Sequence, residues 1–184
     1  MNPSPQIDSE SSPLQPEELR VVVDANITLA MFLARRDQPM VASSKRVLLS
    51  LLPLTNFRWL WSPDIIADYE RGALAIESDA RIQRKAVFDR AGFRLFLAAL
   101  RLLPPVEVSA TSLRAARRRI DQATKGRDRD LDDAIYLACA VDGEAQLLTS
   151  QDSDLLSLGS IYEGVQIVNW PAFAAELRSR QLLK

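Results

Sequence analysis

The sequence predicts an α/β fold, with a central, mainly parallel sheet covered by helices on both faces. Three observations predict it. Short apolar, β-branched runs such as Leu19–Val23 have the composition of strands buried on both sides. Helix-length segments alternate with those runs, as a parallel sheet requires, because its strands need crossover connections. The chain has 184 residues, 47% of them hydrophobic, which is enough for one domain with a substantial core.

The elements follow in order. Residues 1–18 hold Pro3, Pro5, Pro13 and Pro16 among Ser, Gln and Glu, and are expected to be a flexible leader ahead of a domain spanning 19–184. Leu19–Val23 is the first strand. Helices are expected over about Thr28–Arg35 and Ser43–Leu52, the latter with Val47, Leu48, Leu51 and Leu52 inward. Phe57–Trp61 is a second strand, in which Trp59 and Trp61 alternate as core residues. Ser62-Pro63 then opens a helix, with Ser as N-cap, Pro at the first helical position and Asp64 in the first turn. A long helical stretch runs from about Asp79 to Leu103, with Gly92 as a candidate break, and Pro104-Pro105 ends it. Val106–Ser109 reads as an edge strand. Thr111–Thr124 is an amphipathic helix, and Asp130–Gly143 is the next. Gln146–Thr149 and Gly164–Val168 are strands around a short helix near Asp154–Leu158. Pro171–Leu183 closes the chain as a helix.

Composition removes several chemistries. There is no histidine, so histidine-based triads are excluded and a conventional zinc site is not expected. The single cysteine, Cys139, rules out an internal disulfide framework and sits in an apolar run, as a buried thiol does. No apolar run reaches membrane-spanning length, and the first residues carry no signal core, so a cytoplasmic protein is expected.

Four acidic residues stand where an α/β fold could gather them: Asp24, Glu70, Asp133 and Asp152. Sites in such sheets form outside the carboxyl ends of the strands. Asp24 and Asp152 each follow a strand and so belong on one edge. Asp24 reads equally as a cap of the next helix. Glu70, four residues after Ile66, falls on the apolar side of its helix, or else snorkels at its boundary. Asp133 opens a helix that is apolar all round. Its charge, with those of Asp130 and Asp132, also suits a helix N-terminus. Asp152 reads as a ligand or a turn former, with Asp154 capping the turn Leu155-Leu156. Converging carboxylates repel unless a cation joins them, and oxygen donors select a hard ion, Mg²⁺ or Mn²⁺.

These motifs together resemble the PIN-domain ribonucleases, in particular the VapC-like toxins of bacterial toxin–antitoxin pairs. The resemblance rests on Val21-Val22-Val23-Asp24-Ala25-Asn26, on Trp61-Ser62 leading to Glu70, on Asp130-Leu131-Asp132-Asp133-Ala134-Ile135-Tyr136-Leu137-Ala138, and on Ser150-Gln151-Asp152-Ser153-Asp154-Leu155-Leu156. It covers about residues 20–178. Leu131 stands where relatives often have Pro, and Ser150 where they usually have Thr. The resemblance implies a three-layer α/β/α PIN-like fold and metal-dependent hydrolysis of RNA, leaving 5′-phosphate and 3′-hydroxyl ends. It implies that Asp24, Glu70, Asp133 and Asp152 hold one or two Mg²⁺ or Mn²⁺ ions. Asn26, Thr28 and Ser150 are the candidates for positioning water, with Asp130 and Asp132 in support. It also implies a separately encoded protein antitoxin and a homodimer.

Net charge is −1, and setting the four anchor carboxylates aside leaves +3, so nucleic-acid binding must come from local patches. Arg114, Arg117, Arg118, Arg119, Lys125, Arg127 and Arg129 form the densest basic stretch and lead into the Asp130–Asp133 motif. The stretch suits a phosphate backbone, and equally a solvated helix face. Arg81, Arg84 and Lys85 form a second, weaker patch. Two other readings remain. A catalytically silent PIN-like module would bind RNA or a protein. A haloacid-dehalogenase-type phosphatase would use Asp24 as nucleophile, although Asn26 stands where that family has its general acid.

Overall fold

The computed structural model describes residues 18–37, 43–124 and 133–183. At its centre is strand β1 (Leu19–Val23), in which Val21, Val22 and Val23 are all fully buried. Successive side chains of a strand point to opposite faces, so this run shows that both faces of the sheet are covered. β1 pairs in parallel with β3 (Phe57–Leu60) on one side and β5 (Leu147–Thr149) on the other. β5 pairs in parallel with β7 (Val165–Val168), and β6 (Ile161–Tyr162) adds an antiparallel edge, giving the order β3-β1-β5-β7-β6. A second, two-stranded sheet joins β2 (Leu33–Arg35) to β4 (Ala86–Phe88).

The helices are α1 (Ala25–Ala30), α2 (Pro63–Ser78), α3 (Ala80–Lys85), α4 (Arg90–Leu100), α5 (Ala110–Thr124), α6 (Asp133–Asp142), α7 (Ser153–Ser157) and α8 (Trp170–Ser179), with a 3₁₀ helix over Ser44–Leu51. α6 is the central helix. Every residue from Ala134 to Ala140 is buried, and it packs on β1, β5, α2 and α5. Cys139 lies in this run as a buried thiol, pushed up to about 12 mainly by burial.

Several expectations need correction. The helix expected over Thr28–Arg35 stops at Ala30. Residues 33–35 instead pair antiparallel with 86–88, because Phe32 packs its edge on Phe88 and Phe93 and pulls both segments onto one aromatic cluster. The stretch from Asp79 to Leu103 breaks at β4, not at Gly92. Asp79 caps α3 and Asp89 caps α4, accepting from Gly92 N at 2.9 Å. Val106–Ser109 is irregular, tied to the strand end by Val106 N donating to Trp61 O at 2.7 Å. β6 went unanticipated. It is joined to β7 by the two-residue turn Glu163-Gly164, both at positive φ (46° and 86°), the hairpin turn that matches strand twist. Glu18 belongs to the fold and not to the leader: its carbonyl accepts from Gln146 Nε2 at 3.1 Å. The rest of the leader lies outside the described residues. Trp59 and Trp61 are buried as expected, and Phe93, Phe96 and Leu100 of α4 are core. Among the described residues no helix is long and apolar enough to cross a membrane.

Candidate active site

The parallel register places Val23 opposite Thr149. The ladder runs one step further, with Asp24 N donating to Thr149 O and Ser150 N donating to Val168 O, each at 3.0 Å. Asp24 and Ser150 therefore emerge side by side at the carboxyl ends of adjacent strands. Ser150 Oγ donates to Asp24 Oδ2 at 2.5 Å, and Asn26 Nδ2 donates to the same oxygen at 3.1 Å. Ser150 Oγ also accepts from Asp152 N at 2.8 Å, which fixes the loop that carries Asp152.

Asp24 stands at the N-cap of α1 but makes no capping bond with its side chain, so the capping alternative does not hold. Asp24 is 3% exposed, and burial pushes its carboxyl up to about 6, against the lowering effect of the Ser150 bond. The nearby Asp152 charge raises it further. Asp152, not Asp154, caps the following helix: Asp152 Oδ1 accepts from Asp154 N at 2.7 Å, and Asp154 falls in the first turn of α7. The reason is chain length. The helix begins at Ser153, directly after Asp152, two residues earlier than the apolar pair suggests.

Glu70 is a second correction. Its side chain is 48% exposed and pairs with Arg101 at 2.7 Å, so it does not lie on the buried side of α2. Asp68 does face inward. It is 18% exposed, and Oδ2 accepts from the Tyr136 hydroxyl on α6 at 2.5 Å while Oδ1 pairs with Arg71 at 3.0 Å. At about 100° per residue, the stripe Ile65, Ile66, Tyr69 and Ala73 has Asp68 on one flank and Glu70 on the other. α6 packs against the Asp68 flank. The sequence holds no signal for that choice beyond the Tyr at 136. The Tyr136 phenol is held well above its usual range, mostly by burial, with Tyr69, Asp68 and Asp24 adding to it. Tyr69, fully buried, donates to Val23 O and pins α2 behind the Asp24 strand end.

Asp133 opens α6 and is 7% exposed. Thr28 Oγ1 and Thr149 Oγ1 are buried without a hydrogen-bond partner among the described residues. Asp130, Asp132, Lys125, Arg127 and Arg129 lie outside those residues. Arg114, Arg117 and Arg118 are exposed on α5, which packs against α6 and α7. Arg119 is tied down, donating from Nη2 to Leu158 O at 2.8 Å.

The structure thus brings together Asp24, Asn26, Ser150 and Asp152. Among the described residues it does not assemble three acidic side chains into one preformed cluster. The donor set nonetheless fits a hard divalent cation: it is all oxygen, and its buried carboxylate is raised by burial and by a second carboxylate, with no ion pair to a described cation.

The sequence matches the PIN domain family over residues 20–154. No curated protein matches it. Its fold is similar to that of one chain in the crystal structure of VapBC2 from Rickettsia felis bound to a DNA fragment from their promoter. That likeness has a TM-score of 0.53 at 17% identity and covers 83% of this chain and 99% of the other.

Proposed function

This chain belongs to the PIN domain family, and on that premise we propose that it is a metal-dependent endoribonuclease, the toxin of a toxin–antitoxin pair. The observation that carries the reading is the buried Asp24, locked to Ser150 and coupled to Asp152 at the carboxyl ends of β1 and β5. Asp24, Asp68, Asp133 and Asp152 would hold Mg²⁺ or Mn²⁺, with Asp68 in the place expected of Glu70. The bound ion would supply Lewis-acid activation of the phosphodiester. The chain's own residues set the geometry. Ser150 and Asn26 both bond Asp24 Oδ2, so Oδ1 is in neither bond. The cap leaves Asp152 Oδ2 likewise outside its bond. Thr28, with Asn26 and Ser150, would position water. Arg114, Arg117 and Arg118 would hold the RNA backbone, which they can do without reading sequence. A protein antitoxin, a homodimer and a cytoplasmic setting belong to the same proposal. Support for the antitoxin is the shared fold with a chain of VapBC2.

The test is cleavage of a mixed single-stranded and structured RNA pool with Mn²⁺, with Mg²⁺ and with EDTA, beside Asp24→Asn. Metal-dependent cutting that disappears in the variant is expected. A folded protein that neither cuts nor binds metal refutes the proposal. That result would favour the second reading, a silent binding module. The phosphatase reading ends with the family assignment.

A further inference from the structure

The 3₁₀ helix over Ser44–Leu51 packs against α1, the helix that follows Asp24. With three residues per turn, Lys45, Leu48 and Leu51 stack on one face. Leu48 and Leu51 are fully buried. Lys45 therefore continues a buried stripe, on the side of the helix where a lysine is least expected, and is itself half-buried. Its Nζ donates to Oε1 of Gln151, the residue between Ser150 and Asp152. That tether is a neutral amide. Among the described residues no carboxylate lies within ion-pair distance of Lys45. Partial burial lowers the affinity of the amine for its proton. An ammonium has three N–H donors, and Gln151 takes one, so two remain together with the whole positive charge.

Lys45 is thus a charge held half out of water with no anion beside it among the described residues, and its two remaining donors suit an anion supplied from outside the chain. We propose that Lys45 grips a backbone phosphate of the RNA at the rim of the Asp24–Asp152 pair, with Gln151 as its positioning residue. This rests on the nuclease reading and adds to it a contact that the carboxylates cannot make. The competing role is internal, with Lys45 merely screening the carboxylates.

The two roles separate by binding measurements without turnover. A fluorescein-labelled single-stranded RNA of mixed sequence is titrated in EDTA over a series of salt concentrations, using wild type, Lys45→Gln and Lys45→Arg. Manganese affinity is measured on the same proteins. Lys45→Gln keeps most of the stem and removes the charge. The expected result is RNA affinity several-fold weaker at low salt, a salt slope smaller by about 0.7, and recovery of both in Lys45→Arg. Unchanged RNA affinity and slope in a folded Lys45→Gln overturn the proposal. Unchanged RNA binding with tighter manganese binding overturns it in favour of screening. Metal-dependent cleavage that persists in wild type would leave the nuclease reading standing in either of those cases. Wild-type protein that neither binds RNA nor cuts it overturns both.

Discussion

Replacing Asp24 by Asn should inactivate the protein and, without metal, stabilise it. The carboxyl is raised from 3.8 to about 6, first of all by burial. The folded state therefore holds this proton more tightly than the unfolded chain does. Below about pH 3.8 the group carries no penalty. As pH rises through 6 the unfolded chain ionises first, and stability falls until the folded carboxyl has ionised too. A rise of roughly two pKa units corresponds to about 3 kcal/mol. Asn removes that penalty. Its amide oxygen can replace Oδ2 and take both the Ser150 and Asn26 donors, but neutral bonds are weaker, which returns about 1 kcal/mol. The net gain is about 1–2 kcal/mol at pH 8. Urea denaturation in EDTA at pH 4 and pH 8 measures it, and the wild-type-minus-variant difference cancels the other carboxylates. The variant should gain on wild type as pH rises. A difference that stays constant between the two pH values, or a variant less stable at pH 8, refutes the reasoning. Manganese at about 100 times its dissociation constant should then reverse the order, adding about 2.7 kcal/mol to wild type only.

The remaining predictions concern neighbouring residues. Asp68→Asn should lower metal-dependent cleavage at least 100-fold, by analogy with the loss of an electrostatic group worth about 3 kcal/mol, whereas Glu70→Gln should cut at close to the wild-type rate. Because the Glu70–Arg101 pair is exposed, its loss should cost less than about 1 kcal/mol in a thermal melt. Tyr136→Phe removes the hydroxyl that orients Asp68 and should weaken manganese binding about 10-fold by calorimetry, with the fold kept. Replacing Arg114, Arg117 and Arg118 together by Gln should flatten the salt dependence of RNA binding by about 2 in log–log slope, read by anisotropy.

What the sequence made legible was set by local rules. β1 and β5 are apolar runs, and Asp24 and Asp152 each follow one of them, so their shared edge could be read from order alone. Ser62, Pro63 and Asp64 form a helix start on spacing, and Ser62 Oγ does accept from Ile65 N. What failed depended on neighbours far along the chain. Residues 33–35 have no strong strand signal. They become a strand because 86–88 arrive beside them. Asp68 and Glu70 stand on opposite flanks of one helix, and only the packing of α6 and of Arg101 separates them. Asp152 took the cap because α7 begins one residue after it, a boundary that pattern reading places only loosely.

The distribution of charge gives these details one direction. Around Asp24 the chain supplies neutral donors, Ser150 and Asn26, and leaves the buried carboxylate beside a second one. Had this region been designed for stability alone, a cation close to Asp24 would serve better, since breaking or omitting the partner of a buried charge is what makes it costly. Instead Lys45 is tied to a neutral amide on Gln151, the residue between Ser150 and Asp152, while Arg114, Arg117 and Arg118 face solvent on α5. Acid inside, uncancelled base at the rim: that order suits a divalent cation at the centre and a polyanion across the opening, and it makes the metal-free state the less stable one.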